Sequence, residues 1–84
     1  MNSIEWTRKA EKQLSKIDRN DQKTIVLAVD ELAAFPQTGN VKRLRNYPFE
    51  YRMRVGRYRV FFDFHSTVKI IRIEEVKKRD ERTY

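Results

Sequence analysis

The chain has no cysteine, and among its 84 residues there are only two glycines, two prolines, one histidine and one tryptophan. Without cysteine there is no disulfide scaffold, which fits a reducing compartment. One histidine, no cysteine and scattered carboxylates leave no recognisable metal-ligand set. A glycine-rich phosphate loop is missing, as is any serine–histidine arrangement for nucleophilic catalysis. The first residues, MNSIEWTRKA, carry charge where a signal peptide needs an apolar run. The longest apolar segment, TIVLAVDELAAF, is broken by Asp30 and Glu31, so no segment is expected to span a membrane. These absences predict one cytoplasmic domain over residues 1–84, without cofactor or metal.

Positive charge, by contrast, is abundant and unevenly placed. The formal net charge is +7. Residues 1–41 hold six Lys/Arg and six Asp/Glu, whereas residues 42–84 hold thirteen basic and six acidic side chains, so the second half carries the whole excess. Such segregation points to one positive surface facing a polyanion, with solubility as the plainer use of the same charge.

Residues 2–6 (NSIEW) read as a short strand. Thr7 suits the N-cap of a helix over 8–18, in which Ala10, Leu14 and Ile17 share one face. Asn20 or Asp21 is placed to cap a second helix. Its apolar stripe is Ile25, Ala28, Val29, Leu32 and Phe35, and Pro36 ends it. Few polar residues join the two helices, which are expected to pair antiparallel. After a turn at 37–40 the period falls from 3.6 to 2. YRMRV and YRVFFDF alternate, and Gly56-Arg57 between them suits a two-residue loop with glycine first. A further strand is expected over 67–75, with VKKRDERTY as a charged C-terminal tail. The order β-α-α-β-β-β predicts an α+β domain, its helix pair packed on one face of an antiparallel sheet.

A loop at Gly56-Arg57 fixes the hairpin register: Val55 opposite Tyr58, Arg54 opposite Arg59, Met53 opposite Val60 and Arg52 opposite Phe61. Parity then sorts the side chains. Tyr51, Met53, Val55, Tyr58, Val60, Phe62 and Phe64 form the core face. Arg52, Arg54, Arg59 and Phe61 point the other way, with Glu50 and Asp63 further from the loop. A slip of one residue would bury the arginines, so the register is strongly specified. Arg54 facing Arg59 is unfavourable, but at about 5 Å in water the repulsion is only roughly 0.8 kcal/mol. Stability neither forbids the cluster nor explains it. Pairing of Thr67 with Phe64 would add Arg72 beside Arg59, and an exposed Phe61 would offer a base a surface to stack on. The plainer alternative is a solvated sheet face whose arginine stems shield the core. Arginine's planar fork of donors suits phosphate, which favours the binding reading. His65, at a turn, reads as an exposed turn residue. Trp6, Tyr47 and Tyr51 read as packing residues, and Glu74-Glu75 as a solvated strand end.

The segment LRNYPFEYRMRVGRYRVFFDF resembles the core of the RelE family of bacterial toxins, within the RelE/ParE superfamily. The likeness lies in a Leu-basic block, a Tyr-basic-x-basic strand, then Gly-x-Tyr-Arg and an apolar strand. With the N-terminal β-α-α order it covers nearly the whole chain. The resemblance implies the toxin of a type II toxin–antitoxin system, a metal-independent, ribosome-dependent endoribonuclease that cuts mRNA in the A site. Its implied partners are a cognate antitoxin and the ribosome with its mRNA and 16S rRNA. By position it implies Arg54, Arg59, Arg79 and Tyr84 as catalytic, and Arg52, Phe61, Arg72 and Arg82 as RNA-binding. Arg79 and Arg82 both remain open for the C-terminal arginine role. Both basic positions of YRMR are arginine where relatives often carry lysine, and arginine is a poor proton acceptor. Two other readings stay open: a ParE-like inhibitor of DNA gyrase, and a noncatalytic RNA-binding module.

Overall fold

The structure, a computed structural model, describes residues 1–79, so Arg82 and Tyr84 lie outside the described residues. Along the chain run β1 (Ser3–Trp6), α1 (Arg8–Ser15), α2 (Arg19–Asp30), β2 (Val41–Arg43), β3 (Tyr51–Val55), β4 (Tyr58–His65) and β5 (Ile70–Lys78), and a 3₁₀ turn at Glu31–Ala34 prolongs α2. The strands form one sheet in the order β1-β5-β4-β3-β2. Both helices contribute to a core on one side of it, so the expected α+β arrangement holds. Two features go beyond the expectation. The sheet is mixed, because β1 pairs parallel to β5 while the other pairings are antiparallel. The three-residue β2, too short to show a period, extends the sheet beyond β3.

Thr7 caps α1 as expected: its Oγ1 accepts from the Ala10 N–H at 3.1 Å and donates to the Ile73 carbonyl at 2.9 Å. One hydroxyl thus starts the helix and fastens it to β5. α1 ends at Ser15 rather than at 18. Asp18, not Asn20 or Asp21, caps α2 by accepting from the Asn20 N–H at 3.1 Å. Asp21 is used elsewhere, accepting a 3.1 Å hydrogen bond from the Tyr58 hydroxyl that ties α2 to the turn end of the hairpin. Burial, and then that bond, raise the Tyr58 phenol above its ordinary pKa.

Ile25, Val29 and Leu32 of the α2 stripe are fully buried against Val60, Phe62, Ile71 and Ile73. Phe35 stands edge-on to Tyr51, Phe62 and Phe64, with centroids 5.0, 5.5 and 5.2 Å away. Such pairs add about 0.5–1.5 kcal/mol each beyond burial. β5 solves its alternation problem with a bulge. Phe61 pairs with Glu75 but Phe62 pairs with Ile73, which leaves Glu74 as the extra residue. Ile71, Ile73 and Val76 therefore all reach the core. The strand expected over 67–75 runs instead from Ile70 to Lys78, so the first three residues of the supposed tail are strand.

Candidate nucleic-acid interface

The hairpin forms in the register that parity dictates, from Val55–Tyr58 through Arg54–Arg59 and Met53–Val60 to Arg52–Phe61. Gly56, at φ +55°, takes the left-handed conformation that the first position of this tight turn requires. With Met53, Val55 and Val60 buried towards the helices, Arg52, Arg54 and Arg59 stand on the opposite face. β5 adds Lys77 across from Arg59, completing a row Arg54–Arg59–Lys77. β2 adds Lys42 across from Arg52. Just past β5, the Arg79 N–H donates to the Arg57 carbonyl at 2.6 Å, which brings Arg79 alongside the hairpin turn.

Arg59 is the half-buried centre of this group. Desolvation, then the like charges of Arg52, Arg79 and Arg54, lower its guanidinium from arginine's ordinary pKa. Water screens such repulsion poorly where it is excluded, and the attraction of a phosphate for these guanidinium groups is strengthened in the same setting. Arg52 adds an unfilled donor: its Nε is buried and has no hydrogen-bond partner among the described residues. Arg52 and Arg54 make no ion pair among the described residues. Glu50 and Asp63 are engaged with backbone N–H groups. Asp63 Oδ1 accepts from the Glu50 N–H at 2.8 Å, and Glu50 Oε1 accepts from the Phe64 N–H at 2.9 Å. Glu75, expected at a solvated strand end, is buried and pairs with both Lys9 and Lys77 at 3.5 Å.

Two candidates from the sequence are placed differently. Arg72 lies opposite Asp63, not beside Arg59, and approaches Glu74 at 3.8 Å and Glu5 at 4.0 Å. The longer turn between β4 and β5, which starts β5 at Ile70 and pairs Phe64 with Ile71, shifts it along the strand. Burial, then a hydrogen bond to and the charge of Asp63, raise the Glu74 carboxyl above its usual range, with Arg72 acting against them. Phe61, expected to be an exposed stacking surface, is only 5% exposed. Tyr47 covers it, stacked at 5.2 Å with 19° between the rings, and Phe49 packs alongside at 6.0 Å. Tyr47, expected to be a packing residue, packs on Phe61 and is itself 44% exposed. Lys42, Lys77 and Tyr47 thus join the surface without having been foreseen. Only the registers of β2 and β5, and the path of 44–50, could have revealed them.

His65 is exposed at the end of β4. Among the described residues no group of three His, Cys, Asp or Glu could hold a metal ion, and no helix is long and apolar enough to cross a membrane. A surface built this way can bind phosphate through several guanidinium forks and present an aromatic ring beside it.

Residues 4–82 match the family model described as ParE toxin of type II toxin–antitoxin system, parDE. Solved structures with the same fold include the RelBE2 toxin–antitoxin complex of Mycobacterium tuberculosis, at 21% identity over 93% of this chain and 98% of that one, with a TM-score of 0.81. The archaeal RelE–RelB complex of Pyrococcus horikoshii OT3 shares 22% identity over 95% and 97% of the two chains, with a TM-score of 0.80. The isolated E. coli RelE toxin, at 16% identity over 96% and 87%, also gives 0.80. No curated protein sequence matches the chain.

Proposed function

The chain belongs to the ParE toxin family of type II toxin–antitoxin systems, within the RelE/ParE superfamily, and on that premise we propose that it is a ribosome-dependent endoribonuclease cutting mRNA in the A site. One observation carries the reading: a half-buried Arg59 ringed by Arg52, Arg54 and Arg79 on the open face of the sheet. Metal-free cleavage needs the 2′-hydroxyl aligned with phosphorus, a sink for charge on the phosphoryl oxygens and a proton for the leaving oxygen. Arg54 and Arg59 clamp the scissile phosphate and stabilise its transition state, while Arg52 and Arg79 hold the backbone on either side. Tyr84 and Arg82 belong to the same proposal through the family resemblance alone. The product is a 2′,3′-cyclic phosphate. Fixed cations without a good general base supply positioning and electrostatics, so the ribosome must align the codon for cutting to be fast. Inactivation by a cognate antitoxin is part of this reading, supported by structural relatives solved as RelE–RelB complexes.

Inhibition of DNA gyrase without RNA cleavage is the second reading, favoured by the ParE description of the matching family model. Mapping mRNA 5′ ends after induction separates the two. Cuts confined to translated frames, lost in Arg59→Ala while the variant remains folded, are expected. Gyrase inhibition with intact messages would replace the first reading by the second.

A further inference from the structure

Tyr47 is half-exposed although it rests on a buried ring. Its inner face lies on Phe61, which is 5% exposed, while 44% of the tyrosine remains open to solvent. Phe49 braces the pair, 6.2 Å from Tyr47 and 6.0 Å from Phe61. The supporting loop is closed at its neck, where the Leu44 N–H donates to the Glu50 carbonyl at 2.8 Å. Glu50 is then pinned to β4 twice, donating its N–H to Asp63 Oδ1 at 2.8 Å and accepting from the Phe64 N–H at 2.9 Å. Asn46, at φ +52°, makes the turn just before the ring. The ring is therefore held in place before any ligand arrives.

Its neighbours are cationic. Arg52 pairs directly across from Phe61, and its buried Nε lacks a partner among the described residues. Tyr47 also acts electrostatically on Arg59, so its phenol lies within reach of the cluster's centre. A flat aromatic face beside the half-buried guanidinium of Arg52 matches one nucleotide unit, a base plus its phosphate.

We propose that the open face of Tyr47, backed by Phe61, is the stacking platform for one unpaired base of single-stranded RNA whose phosphate is held by Arg52. This rests on the reading of the arginine face as an RNA surface and adds to it a base site. Every base has a π face, so the site adds affinity and orientation with little sequence preference.

The competing explanation is a simple lid, in which Tyr47 only keeps water off Phe61. Tyr47→Leu separates the two, since leucine covers Phe61 but has no flat face. The probe is a short fluorescent oligoribonucleotide, 2′-O-methylated to prevent cleavage, with and without one abasic position at each site in turn, measured by anisotropy at low ionic strength. Tyr47→Leu is expected to weaken binding about 5- to 100-fold, the range seen for loss of one base–aromatic stack, and Tyr47→Phe to bind within about 2-fold of the native chain. One abasic position should weaken the native chain similarly and leave Tyr47→Leu unaffected. Equal binding by Tyr47→Leu, equal abasic losses in both proteins, or no oligonucleotide binding by the native chain would each overturn the platform. Were Tyr47→Leu to unfold, native binding indifferent to every abasic position would do the same. Cleavage in translation extracts is scored separately. Base-dependent binding without cleavage leaves the platform standing and removes the nuclease reading, while cleavage with unchanged Tyr47→Leu binding does the reverse.

Discussion

Arg72 and Arg59 carry the same charge on neighbouring strands, yet the sheet places them in different surroundings. Arg59 sits among like charges, whereas Arg72 lies opposite Asp63 and near Glu74 and Glu5. Arg72 is exposed and its pairs are long, so they contribute at most about 1 kcal/mol. Arg72→Ala is therefore expected to shift the urea-unfolding free energy by less than about 1 kcal/mol and to leave RNA cleavage in translation extracts unchanged. A loss of cleavage comparable to that of Arg59→Ala would return Arg72 to the site. Pattern reading separated outward from inward side chains correctly at Arg52, Arg54 and Arg59. It failed at Phe61 because parity assigns a face and says nothing of what folds back over it. Phe61 is buried by Tyr47 and Phe49 from a loop ahead of β3, a non-local contact with no period of its own.

At the scale of elements, the hairpin was legible and its neighbours were not. β3 and β4 pair in continuous register and meet at a loop begun by glycine, so period and turn chemistry agree. β5 breaks its alternation at the Glu74 bulge, and the turn over 66–69 delays its start to Ile70, which changes Arg72's partner. β1 joins that same strand parallel, a pairing that local sequence does not encode because the rest of the fold separates the two. The hairpin's dependence on its turn is testable. No atom lies within 4 Å of a Cβ built at Gly56, so substitution there meets no clash, only the cost of φ +55° for a residue with a side chain. Gly56→Ala should lower stability by about 1–2 kcal/mol, read as a fall in the urea midpoint with unchanged slope. An unchanged midpoint would show that the turn relaxes freely and does not hold Arg54 against Arg59.

For the whole molecule, the question is whether the net charge of +7 acts as a diffuse field or through a few fixed contacts. Salt dependence distinguishes them, because each phosphate engaged on a single strand contributes about −0.7 to the slope of log K against log salt. A site formed by Arg52, Arg54, Arg59 and Lys77, with or without Arg79, predicts a slope of about −2.8 to −3.5 for a short oligoribonucleotide. Engagement of the entire excess charge would give about −5. Anisotropy titrations across a range of salt concentrations measure the value directly. Arg54→Ala should then reduce the magnitude of the slope by about 0.7, whereas Lys23→Ala, on the exposed surface of α2, should leave it where it was. Equal effects of both substitutions would mean that the chain attracts RNA as a uniformly charged body, and the convergence of side chains on the open face of the sheet would have no part in binding.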